Sequence, residues 1–176
     1  MPLNLKDLDE QTREFMIEEI EHDINNGTLY ISPRLTEGGV NEYPTLLRTA
    51  IENGNDDSLA TNLRSHGLLK ETEQRNTRGG ITIAKVPITA ADTLAEGEFN
   101  RFYIRGLCRR AIKNGIQELI IYRAKEVSNP RPESEARLGK SIDSETLLQD
   151  LRKNPGVEPA LGLPSGPNSG LSVRLP

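Results

Sequence analysis

Apolar residues recur with helical spacing in two long stretches of this chain. Between residues 9 and 25 they fall on one helix face, and Gly27 ends the pattern. In residues 90–114 they surround most of the circumference instead, which predicts a buried central helix. Gly97 and Gly106 inside that helix each cost about 1 kcal/mol relative to alanine. Their presence indicates close packing against another backbone.

Three shorter helices are predicted by the same spacing. The first begins at Pro44, a residue suited to the first turn of a helix, and a second follows it and ends at Gly67. The third is capped by Asp143 or Ser144 and carries three leucines. These helices supply apolar faces that can pack on the central helix.

Extended segments are predicted by runs of β-branched and aromatic residues. The strongest is 118–127, a second is 81–86, and a short one at 28–32 is broken by a proline. The polar run 71–80 has no apolar period and predicts a mobile loop. The expected fold is α+β, with a small sheet of 118–127 and 81–86 packed on the central helix. A mostly helical bundle is the competing arrangement.

The chain divides into a body and a tail. Residues 1–153 are predicted to form a single α+β domain with a short extended N-terminal arm, and residues 154–176 an extended C-terminal arm with five prolines and four glycines. Within the tail, Leu171, Val173 and Leu175 alternate. This alternation suits a strand added to the sheet edge of another chain. The alternatives are a disordered tail and a tail folded back on its own domain.

Charge is unevenly distributed along the chain. The net charge is −4, but residues 1–100 carry −9, residues 101–140 carry +6 and residues 141–176 carry −1. Four cations in the basic part lie four residues apart and share one helix face: Arg101, Arg105, Arg109 and Lys113. A functional interpretation of this cationic stripe is contact with phosphate or an acidic partner, which makes these four cations candidate partner-binding residues. The interpretation that we favour is a solvated face balanced by the acidic N-terminal helix, within one chain or between subunits.

Candidate chemistry is sparse. Cys108 is the only cysteine, and the two histidines, His22 and His66, are far apart in the chain, so we expect no catalytic residue, no metal site and no cofactor. The loop 123–137 mixes arginines and glutamates and is the one place where an enzyme could work. The chain shows no secretory signal and no apolar run of the ~20 residues that span a bilayer. We therefore expect a protein that folds in a reducing cytosol and has no membrane partner.

Several long segments carry a resemblance to a known family. They are LDEQTREFMIEEIEHDINNGTLYISPRL (8–35), GEFNRFYIRGLCRRAIKNG (97–115), IIYRAKEVSNPRPES (120–134) and GPNSGLSVRLP (166–176). Together they resemble a family of small proteins from the structural-gene clusters of tailed bacteriophages and prophages. The resemblance implies association with the virion, at the head or the neck, and it carries over no functional residues.

We therefore expect a non-catalytic virion structural protein of a tailed bacteriophage. Its expected place is capsid-associated, as a cement, decoration or head–neck component assembled in the host cytoplasm. Its expected partners are capsid or neck subunits and further copies of itself. One alternative is a nucleic-acid-associated or regulatory module that uses the basic 101–113 stripe. A second is an enzyme that works through the 123–137 loop.

Overall fold

A computed structural model describes residues 2–156, 159–164 and 169–176. The helices are α1 (Glu10–Asn26), α2 (Glu37–Asn53), α3 (Asp56–Ser65), α4 (Ala90–Lys113), α5 (Pro132–Glu135) and α6 (Ser144–Lys153). The strands are β1 (Thr72–Thr77), β2 (Gly80–Lys85), β3 (Glu118–Arg123), β4 (Ser141–Asp143) and β5 (Leu171–Arg174). Among these described residues, no helix is both long and apolar enough to cross a membrane.

Helix α4 lies at the centre of the core, as its apolar circumference predicts. Phe99, Tyr103 and Leu107 are fully buried, and α1, α3 and α6 pack around the helix. At Gly106 an added Cβ would lie 2.6 Å from Met16 Cγ, so α1 approaches the α4 backbone closely there. At Gly97 nothing lies within 4 Å of such a Cβ. The packing interpretation is therefore confirmed at Gly106 and wrong at Gly97.

A three-stranded antiparallel sheet packs on α4, in the order β4–β3–β5. One face of β3 directs Leu119 and Ile121 into the core. The other face presents Tyr122, which packs with Leu3 of the N-terminal segment. The predicted α+β fold, with a small sheet on a central buried helix, is confirmed.

Strands β1 and β2 form a separate antiparallel hairpin. The prediction that 81–86 joins the sheet with 118–127 is wrong, although β2 itself is present. The prediction of a loop at 71–80 is also wrong, because β1 occupies most of it. A polar strand forms here because the ladder uses backbone groups and needs no apolar face. The guanidinium of Arg34 also holds Glu73 of β1 at 2.6 Å.

Two local predictions fail and one succeeds. Residues 28–32 form no strand and instead run as irregular, half-buried chain against the core. Helix α2 begins earlier than predicted, because Thr36 accepts a hydrogen bond from the Gly39 amide, and Pro44 lies inside it. Asp143 caps α6 by accepting a 2.7 Å hydrogen bond from the Thr146 amide, as predicted.

Candidate interaction surface

The cationic stripe turns inward at its second member. Arg105 is 1% exposed and faces α1. Its Nε donates to Glu19 Oε2 at 2.8 Å, and its Nη1 and Nη2 donate to the Asp23 carboxylate at 2.6 and 2.8 Å. Such a forked geometry matches guanidinium to carboxylate. The favoured pairing of the stripe with the acidic N-terminal helix is thus found within the chain at this residue.

Burial and pairing act in opposite directions on these groups. Burial disfavours the charged guanidinium, but the hydrogen bonds and attraction of Asp23 and Glu19 outweigh it and raise the pKa of Arg105. Burial likewise favours neutral Glu19, yet the hydrogen bond from Arg152 and the attraction of Arg105 hold the pKa of Glu19 below its usual value. The network therefore stays ionised in the interior.

Glu19 accepts hydrogen bonds from arginines of two helices. In addition to Arg105, it accepts from Arg109 Nη1 at 3.1 Å and from Arg152 Nε of α6 at 3.0 Å. Its side chain is fully buried. One carboxylate thereby joins α1, α4 and α6.

The first member of the stripe is also buried. Arg101 Nη1 donates to the Asn154 carbonyl at 2.8 Å, and its Nε lies 3.6 Å from Glu98 Oε1. Burial, only partly countered by Arg101, raises the pKa of Glu98 to about 7. Arg101 thus holds the start of the tail against α4.

Only the last two members of the stripe reach the surface. Arg109 is about one-third exposed and donates to Glu18 at 2.7 Å, while exposed Lys113 places its ammonium 5.3 Å from the centre of the Phe15 ring. The structure therefore does not bring the four cations together on one open face. Partner binding by the stripe stays a prediction, and the surface for it is limited to these two residues.

The tail residues also lie differently from the predicted free arm. Strand β5 pairs with β3 of the same chain, and Leu171 and Val173 are fully buried. Their main-chain oxygens accept hydrogen bonds from α4: Asn100 donates to Leu171 at 2.8 Å and Tyr103 to Val173 at 3.1 Å.

Leu175 is half-buried against the core, and its amide donates to Asp7 at 2.9 Å. The strand prediction is correct, and its sheet is the chain's own because β3 offers a free edge. Docking on another chain stays a prediction that would require β5 to leave this sheet. Residues 157–158 and 165–168 of the predicted tail lie outside the described residues.

Cys108 is buried, and Arg123 of the 123–137 loop is engaged in contacts. Cys108 is fully buried, and burial raises its pKa well above the usual thiol range, which disfavours the nucleophilic thiolate. In the 123–137 loop, Arg123 is engaged by Glu135 and by the Ser169 carbonyl. Within the described part of the chain, no three His, Cys, Asp or Glu side chains are arranged to hold a metal ion.

A pocket of about 220 Å³ lies between α3, α4 and Lys125, two residues beyond β3. Its acidic wall includes Asp56, Asp57, Asp92 and Glu96, and Lys125 faces Glu96 as an ion pair. Asp56 already accepts a 3.0 Å hydrogen bond from the Leu3 amide. Its carboxylate thus holds the N-terminal segment in place.

The hairpin carries the most exposed apolar surface among the described residues. Ile81 and Ile83 project from one face of β2 and are 69% and 75% exposed. The opposite face carries Glu73 and Ala84, which are partly covered. We call Ile81 and Ile83 the isoleucine patch. Large apolar side chains grouped in this way mark interaction sites more often than isolated ones do.

The isoleucine patch is not among the residues predicted from the sequence. Alternation in the segment ITIAKV shows that two isoleucines share a face. It does not show that this face lacks a covering layer, because that depends on where the hairpin projects. The usable signal is the flanking run 71–80, which has no apolar residue to cover it.

Comparisons with known proteins give no further information about the site. The chain has no significant match among family models, curated proteins or solved structures.

Proposed function

We propose that this protein is a non-catalytic structural component that docks on other proteins through its β1–β2 hairpin. The observation that carries this proposal is the isoleucine patch. Water disfavours exposed apolar area by about 25 cal/mol per Å², so a face of this kind gains free energy when a partner covers it. The patch stands on a strand that pairs with only one other strand.

Contacts with the rest of the molecule fix the base of the hairpin. Arg34 fixes Glu73 at the root of β1, and Lys70 Nζ donates to the Pro33 carbonyl at 2.8 Å beside it. The hairpin is therefore held at its base by side chains of the core domain, while the residues at its tip are exposed. Such an arrangement presents a docking strand in a defined direction.

The sequence resemblance supports a place for this docking in a virion. We propose a capsid-associated part of a tailed bacteriophage, as a cement, decoration or head–neck component. Its partners would then be capsid or neck subunits, and it would assemble with them in the host cytoplasm. The alternative of a nucleic-acid-associated module is less well supported, because Arg101 and Arg105 are engaged inside the chain.

The proposal is tested by incorporation into particles. Phage particles are produced in cells that supply either the wild-type chain or the Ile81→Thr/Ile83→Thr variant, then purified on a density gradient and quantified for this protein. We expect a fixed ratio of wild-type chain to capsid protein and a large loss for the variant. Threonine keeps the β-branched shape that favours a strand, so the hairpin should persist.

The matched control is Ile112→Thr, which makes the same change at an exposed isoleucine of α4 that is 40% exposed. It should leave incorporation unchanged. If neither the wild-type chain nor the control appears in particles, the virion assignment is wrong. If the double variant incorporates as well as the control, the hairpin is not the docking surface.

A further inference from the structure

Within the described residues, the outer edge of β2 pairs with no further strand. The Val86 amide donates to the Glu71 carbonyl at 2.9 Å, so it points toward β1. Because backbone groups alternate sides along a strand, those of residues 81 and 83 point away from β1. The Lys85 carbonyl accepts a 3.4 Å hydrogen bond from Arg75. The described hairpin has only two strands, and the backbone groups of residues 81 and 83 lie at its open edge. A strand edge of this kind is a template for another strand.

The sequence of β2 is complementary to itself at this edge. Suppose that two copies of β2 pair antiparallel about a two-fold axis at Thr82. Two residues then face each other when their residue numbers add up to 164. Ile81 of one copy then meets Ile83 of the other, twice, and Lys85 meets Gly79. No two like charges face each other, and both residues of each isoleucine pair have outward backbone groups. Cross-strand pairs of β-branched residues favour such a ladder.

Charge also favours contact at the hairpin over contact between the bodies. Residues 71–88 carry two acidic and three basic side chains, a net charge of +1. The rest of the chain has a net charge of −5, which gives the total of −4. The six paired residues of the hairpin extend about 20 Å, beyond the Debye length of about 8 Å at physiological ionic strength. Two acidic bodies joined through their hairpin edges therefore repel each other only weakly.

From these observations we infer that β2 pairs with β2 of a second copy of this chain, forming a four-stranded sheet across a two-fold axis at Thr82. The inference rests on the proposed function, because it names one partner of the same hairpin. Two-stranded hairpins alone are marginal, and two additional strands complete the ladder. The four isoleucines then share one face of the sheet, which stays available for a different subunit.

Because this contact is small, we expect the dimer to be weak. The test therefore traps the dimer with a disulfide bond. Thr82 lies on the two-fold axis in a pair without mutual hydrogen bonds, where Cα atoms are about 4.5 Å apart. That separation lies within the range of a disulfide. We expect the Thr82→Cys variant to form a disulfide-linked dimer under mild oxidation. The native Cys108 is fully buried and contributes no background.

The matched control is Asn76→Cys, another exposed position of the hairpin, on β1. In the inferred dimer the two copies of residue 76 are separated by three strand spacings, about 14 Å, too far for a disulfide. We expect dimer formation to be at least about tenfold faster for Thr82→Cys. Equal rates for the two variants would indicate random collision and would overturn the inference. Unchanged melting temperatures establish that both variants are folded.

Hydrogen exchange on the unmodified chain gives a second test. The amides of Ile81 and Ile83 face outward, so their exchange should slow markedly as protein concentration rises. The amides of Thr82 and Ala84 face β1 and should respond much less. Outward amides that exchange at the same rate at every concentration would contradict the dimer.

Failure of this inference and failure of the proposed function give different results. A monomeric chain that still needs Ile81 and Ile83 for incorporation into particles overturns the dimer and leaves the docking function standing. A chain that dimerises through Thr82 and is absent from particles overturns the virion function and leaves the dimer standing.

Discussion

The α1–α4 contact and the β1–β2 hairpin depart from the usual distribution of side chains in opposite directions. In the first, the charged side chain of Arg105 is 1% exposed; in the second, the apolar side chain of Ile83 is 75% exposed. Buried charges and exposed apolar groups are both unfavourable when they lack partners. The two regions differ in where the partner is found.

Arg105 finds its partners inside the chain. Glu19 and Asp23 face it across the interface between the helices, so this departure is compensated within the folded monomer. Ile81 and Ile83 have only solvent beyond them in the described structure. In this chain Arg105 of the charged stripe serves folding, whereas the docking surface that we propose lies on an exposed strand. Stability and association are therefore expected to respond to different substitutions.

The largest expected effect is loss of the buried cation. Arg105→Met leaves Glu19 and Asp23 without their central partner, and removal of one member of a buried ion pair costs about 3–5 kcal/mol. Urea unfolding followed by circular dichroism measures this cost. Arg109→Met, at a position about one-third exposed, is the control and should cost less than about 1 kcal/mol. If both variants lose a similar unfolding free energy, the buried Arg105 contributes no more to stability than the partly exposed Arg109, and the prediction is wrong.

A second large effect is expected at the end of the chain. Leu171→Ala removes a fully buried side chain from β5 and should cost about 2–5 kcal/mol. Thermal unfolding of the isolated protein measures it. The sequence-based picture of a tail that docks on a neighbour predicts the opposite, a monomer whose melting temperature hardly changes. A Leu171→Ala protein with the wild-type melting temperature would therefore favour docking in trans.

An intermediate effect is expected from Glu98, whose pKa is raised from 4.5 to about 7 by burial. Below pH 4.5 both the folded and the unfolded states hold the proton. As pH rises toward 7 the unfolded state releases it first, so the folded state loses stability across this window. Relative to Glu98→Gln, the wild-type protein should lose about 1–3 kcal/mol between pH 4.5 and pH 7.5. Parallel pH profiles would show that Glu98 is ionised in the fold.

Two glycines in α4 provide a smaller, paired test of close packing. Gly106→Ala forces a methyl group against Met16 and should destabilise the protein by about 1–3 kcal/mol. Gly97→Ala meets open space and should stabilise it by about 0.5–1 kcal/mol. Denaturant midpoints compare the two variants directly. A stabilising effect of Gly106→Ala would show that helix propensity outweighs the α1 contact.

The smallest effect on stability is expected at the hairpin. Ile83→Thr exchanges one exposed β-branched residue for another and should change the free energy of unfolding by less than about 0.5 kcal/mol. The same variant should nevertheless reduce association, which analytical ultracentrifugation at high concentration detects. A substantial loss of stability would mean that Ile83 packs on its own body, and the comparison between the two regions would fail.

Periodicity was sufficient to predict the elements that form the core. The apolar circumference of 90–114 predicts the buried helix, and the alternation at Leu171 and Val173 predicts a strand. Periodicity reports which side chains share a face, but it does not report what that face meets. The spacing of Leu171 and Val173 therefore could not show that β5 pairs with a strand of its own chain.

Long-range pairing and polar strands were the main sources of error. Arg105 meets Glu19 across 86 residues, a contact for which the charge imbalance of the chain gives only a general indication. Strand β1 is polar throughout, so its formation depends on the β2 backbone and not on its own apolar pattern. The isoleucine patch escaped prediction for the same reason, because the exposure of β2 follows from the lack of an apolar layer across the hairpin.

The position of Glu19 has a consequence for the time course of folding. Its three arginines lie 86, 90 and 133 residues away along the chain, so all of α1, α4 and α6 must be in place before the carboxylate is fully neutralised. Contacts between such distant residues form late, because closing long loops is slow. Interactions that are absent from the transition state slow the opening of the native protein more than they speed its formation. We therefore expect the ion pairs of Glu19 to slow unfolding more than they speed folding, and so to prolong the lifetime of the folded chain.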